Sequence, residues 1–184
     1  RSKFLAFMNK KLKLNELNRA SVEEFKQLKK NPVLLFLDNI RSFNNVGSCF
    51  RTADALALEG VVLTGITPKP PHREIHKTAL GATESVSWEH EEDSIQKAKD
   101  LQAQGYKILV VEQTQETTLL QNFKVESQEK YVLVMGNEVS GVKQEIIDIA
   151  DEVLEIPQFG TKHSFNVSVC AGIVCWEIVR GMQV

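Results

Sequence analysis

Ile156-Pro157-Gln158-Phe159-Gly160-Thr161-Lys162-His163-Ser164-Phe165-Asn166-Val167-Ser168-Val169 takes the chain out of an apolar strand, through a Pro/Gly loop, and into a helix that begins on small polar side chains. Such a strand-to-helix loop brings backbone N–H and C=O groups, the Ser164 hydroxyl and the Asn166 amide to one edge of a sheet. In open α/β sheets that edge is where ligands bind. A plainer reading has Ser164 or Asn166 doing no more than capping the last helix.

Two other segments have the same grammar. Val132-Leu133-Val134-Met135 runs into Gly136-Asn137-Glu138-Val139-Ser140-Gly141, and Val33-Leu34-Leu35-Phe36-Leu37-Asp38 runs into Asn39-Ile40-Arg41-Ser42-Phe43-Asn44-Asn45-Val46-Gly47-Ser48-Cys49-Phe50-Arg51. Three polar loops after three buried strands would open on one rim of a parallel sheet, and together they predict a site.

The rest of the chain supplies the frame. Ser21-Val22-Glu23-Glu24 fits a capping box and predicts a helix reaching about Lys29, stopped by Asn31-Pro32. Strand-like runs follow at 33–37, 61–63, 86–88, 108–111, 131–135 and 153–156, separated by helical patterns at 46–56, 75–80, 93–104, 143–150 and 166–180. Six strands with helical crossovers predict a mostly parallel α/β sheet covered on both faces. In the last helix Val167, Ala171, Val174 and Ile178 form one core-facing stripe. Trp176 lies off it, placed either to pack in the core or to cover a second helix. Without repeats or a Gly/Ser-rich linker, the chain reads as a basic helical extension, 1–31, on one domain, 32–184.

Composition narrows the class. The 184 residues suit a single domain. No apolar run approaches the roughly 18 residues of a membrane span, and the first nine residues lack a signal-peptide core. Cys49, Cys170 and Cys175 are odd in number and have no C-x-x-C spacing, so they are expected to pack as small hydrophobes in a reducing cytoplasm. The net charge of −2 is unevenly spread: residues 1–30 carry +6 and the remainder −8. A basic leader on an acidic body can grip phosphate, or simply solubilise.

Several chemistries are set aside because their motifs are missing: P-loop phosphate binding, G-x-G-x-x-G dinucleotide binding, the H-E-x-x-H zinc site and the G-x-S-x-G nucleophile elbow. His72 and His76 are four apart, but the prolines at 68, 70 and 71 put His72 in a loop and no third ligand is near, so no metal is expected. Lys69, His72, Arg73 and Lys77 read either as a basic edge for RNA phosphate or as a solvated loop. Arg41, in the first polar loop, belongs with them as an RNA contact.

The motifs themselves carry a resemblance. Asn45-x-Gly47-x-x-x-Arg51, Gly136-Asn137-Glu138-x-x-Gly141, and Ile156-Pro157 through Ser164-Phe165-Asn166-Val167-Ser168-Val169 resemble, in this order, the three motifs of the SpoU (TrmH-type) branch of the SPOUT RNA methyltransferases. The likeness runs from about Leu35 to the C-terminus. It thins at Gln158-Phe159 and at Phe165, where the family often has other apolar residues. It implies a SPOUT-type fold with a C-terminal trefoil knot, the stretch after Gly160 passing through a loop near 136–142.

It also implies a function: S-adenosylmethionine-dependent methylation of a ribose 2′-hydroxyl in tRNA or rRNA, by a cytoplasmic homodimer. The alternatives are an RNA-binding or assembly protein that keeps the fold without turnover, and a small-molecule enzyme using another adenine nucleotide. By the resemblance, Leu133, Met135, Gly136, Ile156, Ser164, Asn166 and Val167 hold the cofactor. Glycine at 136, 141 and 160 would permit close approach or an unusual φ. Arg51 matches the catalytic arginine, although a guanidinium pKa above about 12 suits gripping phosphate better than acting as a simple base. Glu138 is expected to pair with Arg51 or another basic side chain, or else to be a solvent-facing acid. Asn45 is expected to hydrogen-bond within the site, or merely to stabilise its own turn.

Overall fold

A computed structural model describes residues 10–13 and 16–183. Arg1 and Lys3 of the basic leader, and the signal-peptide question over the first nine residues, lie outside the described residues. The helix predicted at the capping box is α1, Val22–Gln27: Ser21 Oγ accepts from the Glu24 N–H and the Glu24 carboxylate accepts from the Ser21 N–H. Phe25 on α1 is buried in the core.

The strands are β1 Asn31–Asp38, β2 Leu58–Thr64, β3 Trp88–Glu91, β4 Tyr106–Val111, β5 Thr118–Leu119, β6 Lys130–Met135 and β7 Glu152–Glu155. They form one sheet in the order β3-β2-β1-β6-β4-β7-β5, and every neighbouring pair is parallel. The helices after α1 are α2 Phe43–Ala55, α3 Arg73–Ala79, α4 Ala82–Ser85, α5 Ser94–Ala103, α6 Gln144–Ile147 and α7 Val167–Met182.

Alternation along the central strands fills two cores. Val33, Leu35, Leu37, Leu63, Leu133 and Met135 face α1, α2, α3, α4 and α7. Phe36, Val62, Ile108, Val110, Val132 and Val134 face α5 and α6. Because both faces are covered, these strands read as continuous apolar runs, which is why the sequence shows them so plainly.

Two corrections follow. The sheet has seven strands, not six: β5 is only Thr118–Leu119, too short and too polar in its flanks to leave a pattern. The strand expected at 86–88 is displaced to Trp88–Glu91, an edge strand of mostly exposed residues, and α4 occupies the preceding segment. Trp176 is 57% exposed, so core packing does not explain it, whereas Ala171, Val174 and Ile178 are buried as the stripe requires. Among the described residues no helix is long and apolar enough to cross a membrane.

The topology decides where the polar loops go. β1 and β6 are direct neighbours, Leu37 opposite Met135, and β4 links β6 to β7. In parallel strands the C-terminal ends share one rim, so the loops after Asp38, Met135 and Glu155 all open on that side, with the loop after Val111 between them.

Candidate functional site

The loop after β6 is a closed, self-bonded turn. Asn137 and Gly141 exchange backbone hydrogen bonds of 3.1 and 2.9 Å, and Asn137 Oδ1 accepts from the N–H groups of Val139 and Ser140. Gly141 has φ +69. A Cβ at Gly136 would lie 2.3 Å from the Gly141 carbonyl carbon and the Val142 nitrogen, a backbone approach only glycine permits. Gly160 differs from the expectation: a Cβ there would meet nothing within 4 Å.

This turn is pinned to the loop after β1. Asn137 Nδ2 donates to the Asn39 carbonyl at 2.6 Å. Asn39 is held at φ +55 by donating to the buried Asp38 Oδ1 and accepting from the Ile66 N–H. Asparagine tolerates that left-handed backbone better than most residues.

Glu138 then reaches across to the start of α2. Its carboxylate accepts from the Arg41 N–H at 2.9 Å, the Ser42 N–H at 3.2 Å and Asn45 Nδ2 at 3.2 Å. The expected basic partner is therefore replaced by amides: among the described residues no ion pair includes Glu138. Partial burial pushes its carboxyl pKa up, but the amide donors together outweigh that and hold it below the usual carboxylate range.

Asn45 carries the chain onward. Its Oδ1 accepts from Asn166 Nδ2 at 3.1 Å, while Asn166 Oδ1 accepts from the Ser168 N–H at 3.0 Å and caps α7. The capping reading of Asn166 is thus correct, and the same side chain also binds the first motif. A single hydrogen-bonded relay, Glu138 to Asn45 to Asn166, ties the three loops together.

Beside the relay lies a cavity of about 500 Å³, within the range of small-ligand and cofactor sites. Met135, Gly136, Glu138, Ile156, Ser164, Asn166 and Val167 line it, as do Glu112, Gln113, Glu155 and Cys170. Leu133 does not: it is fully buried in β6, inside the core. Asn45 stands at the edge through its bond to Asn166, and Arg51 lies outside, exposed on α2. Arg41, Lys69, Arg73 and Lys77 are exposed in the loops and helix after β1 and β2, with Lys77 3.9 Å from Glu74.

The sequence reading missed Glu112 and Gln113. They follow β4, and only the strand order, with β4 between β6 and β7, reveals that their loop joins the rim. Cys49 and Cys175 are buried and Cys170 partly so. Burial pushes the Cys49 thiol to about 12, and burial with the nearby Glu112 carboxylate pushes Cys170 to about 11, so these are inert packing groups at neutral pH. Among the described residues no cluster of three or more His, Cys, Asp or Glu side chains is placed to hold a metal.

An all-parallel α/β sheet with helices on both faces and a ligand-sized cavity at the carboxyl ends of its strands defines a small-ligand-binding domain of the doubly wound kind. The particular family is equally plain: the SpoU rRNA Methylase family matches residues 32–176, and this chain belongs to it. The chain is 34% identical over 170 residues to the 23S rRNA (guanosine-2′-O-)-methyltransferase RlmB of Haemophilus influenzae, covering 90% of this chain and 66% of that protein. It therefore spans slightly less than two thirds of that relative's length.

Among solved structures, the A. aeolicus TrmH/SpoU tRNA modifying enzyme superposes with a TM-score of 0.78 at 26% identity, covering 88% of this chain and 81% of that one. The AdoMet-bound rRNA methyltransferase of Sinorhizobium meliloti shares the fold with a TM-score of 0.76 at 24% identity, over 85% of this chain and 59% of that one.

Proposed function

We propose that this protein transfers a methyl group from S-adenosylmethionine to a ribose 2′-hydroxyl of tRNA or rRNA. The observation that carries the reading is the Glu138–Asn45–Asn166 relay closing one side of the cavity. It makes one site of the three segments that resemble the family's motifs. The relatives named above, enzymes of rRNA and tRNA methylation or modification, support the substrate class.

The chemistry of the lining agrees. S-adenosylmethionine supplies a methyl on a sulfonium, so the protein has to align acceptor and donor and exclude water. Glu112, Glu138 and Glu155 around the cavity suit a ligand bearing a positive sulfonium and ammonium. Met135, Gly136, Ile156, Ser164, Asn166 and Val167 would hold the adenosine end through backbone groups and apolar contact. Arg51, exposed on α2 six residues past Asn45, would grip a phosphate of the target nucleotide and orient its ribose. Asn45 and Glu138 would fix the rim against which that ribose rests.

The same reading assigns residues 1–31 as a basic extension and 32–184 as the catalytic domain, with the C-terminal stretch threaded through the 136–142 loop as in the SPOUT family. It also assigns a cytoplasmic homodimer. Val169, Ile173 and Trp176 form an exposed apolar stripe on α7, 51%, 37% and 57% exposed, of the kind a second copy would cover. Light scattering should give the mass of two chains, and a single-chain mass at micromolar concentration refutes the dimer.

Calorimetry with S-adenosylhomocysteine, ATP and NAD tests the cofactor: binding of the first alone is expected. Tritiated methyl transfer to bulk RNA, with Arg51→Ala as comparison, tests the reaction. Equal label from both proteins would remove Arg51 from the mechanism, and no label in any RNA would favour a binding or assembly role.

A further inference from the structure

Phe43 and His72 form an aromatic pair that the site described above does not use. Their ring centroids lie 3.9 Å apart with planes inclined by 30°. Both residues are exposed, Phe43 by 37%. Each ring stands at an anchored helix start. Phe43 is the first residue of α2, directly after Ser42, whose N–H is bound by Glu138 and whose Oγ caps the helix. His72 is the N-cap of α3, its Nδ1 accepting from the Glu74 N–H at 3.2 Å. The start of α2 is tied to the far end of α3 by Thr78 Oγ1, which donates to the Asn44 carbonyl at 3.0 Å.

Cations surround the pair. Arg41 precedes it by two residues, Lys69 lies in the loop leading to His72, and Arg73 follows His72. All three are exposed, and among the described residues their side chains make no hydrogen bond or ion pair. A flat aromatic surface flanked by cations matches a nucleotide, base on ring and phosphate on cation. Aromatic residues and Arg are also common at protein interfaces, but three cations without an ion pair among the described residues around one aromatic pair favour a polyanion.

We propose that the Phe43–His72 pair is a stacking platform for a base of the bound RNA, placing that base two residues from Asn45 at the rim of the cavity. The inference rests on the RNA-directed reading above and deepens it, since it names the feature that holds a base while the relay and Arg51 attend to ribose and phosphate. Stacking is tolerant of base identity, with purines held more firmly because their rings are larger.

The test uses the full protein and fluorescence anisotropy with a short labelled oligoadenylate and its abasic ribose-phosphate counterpart, each titrated across salt. The native protein should bind the oligoadenylate more tightly. Phe43→Leu and His72→Asn, the latter keeping a helix-capping acceptor, should each lose roughly tenfold in affinity for oligoadenylate and little for the abasic strand. Their salt dependence should be unchanged, because no phosphate contact is removed, whereas Arg73→Ala should flatten it. Phe43→Trp should restore or exceed native binding, which a merely structural role for the position would not produce. Native preference for bases that survives Phe43→Leu overturns the platform while leaving the RNA reading intact. Failure of the native protein to bind either strand overturns both.

Discussion

Asn45→Asp is the most revealing single change, because it keeps the side chain's shape and reverses one contact. Asn45 Nδ2 now donates to Glu138 Oε1 at 3.2 Å. In the variant a carboxylate oxygen faces a carboxylate oxygen at that distance, while the acceptor used by Asn166 survives. The lost hydrogen bond removes about 1 kcal/mol. Repulsion between two unit charges at this separation adds about 1.3 kcal/mol in a water-like dielectric, and more where solvent is partly excluded. The expected destabilisation is therefore roughly 2–3 kcal/mol at neutral pH, read as a lowered urea midpoint at unchanged slope.

The penalty should carry a pH signature. Acidification through the ordinary carboxylate range, about 4, protonates one of the pair and removes the repulsion. The gap between variant and native protein should then narrow to roughly the hydrogen-bond term alone. A variant as stable as the native protein at neutral pH, or a penalty indifferent to acid, would refute the relay. Asn166→Asp is the matching control: its anion would sit at the N-terminus of the long helix α7, a favourable position, and should cost less.

In the native protein the Glu138 carboxyl is held low, so its contribution is full above the ordinary carboxylate range and drains away as pH falls through the lowered folded value. Glu138→Gln should flatten that acid limb of the urea midpoint against pH. Gly136→Ala drives a Cβ to within 2.3 Å of the 141–142 backbone; it should cost about 1–3 kcal/mol and abolish S-adenosylhomocysteine binding in calorimetry. The thiols of Cys49 and Cys170, pushed up to about 12 and 11 by burial, should resist alkylation near neutral pH in the folded protein and react once it is unfolded in urea, as mass spectrometry of the alkylated peptides would record.

How much was legible beforehand follows from where each signal lives. Central strands buried on both faces announce themselves as apolar runs, so β1, β2, β4, β6 and β7 stood within a few residues of expectation. The edges did not: β3 is Trp-Glu-His-Glu and β5 is two residues long, and neither buries enough to pattern the sequence. The residue types of the three loops exposed the site, but its wiring depended on distances. Glu138 satisfied by backbone N–H groups, Asn166 joined to Asn45, and Glu112 on the rim are consequences of strand order and loop closure. Leu133 and Met135 share one face of β6 and one core, but Met135 ends the strand and reaches the cavity, whereas Leu133, two residues further in, is covered on all sides. The Phe43–His72 stack joins residues far apart in sequence, so no local pattern could have shown it.

Methyl transfer to ribose is the reaction proposed for the cavity beside the Glu138–Asn45–Asn166 relay. Its most direct test is incubation of the protein with labelled S-adenosylmethionine and bulk RNA, followed by digestion to nucleosides and mass spectrometry. Label recovered in a 2′-O-methylated nucleoside, and lost in Arg51→Ala, is the predicted result. Label on a base, or none in any RNA class while S-adenosylhomocysteine still binds, would contradict it.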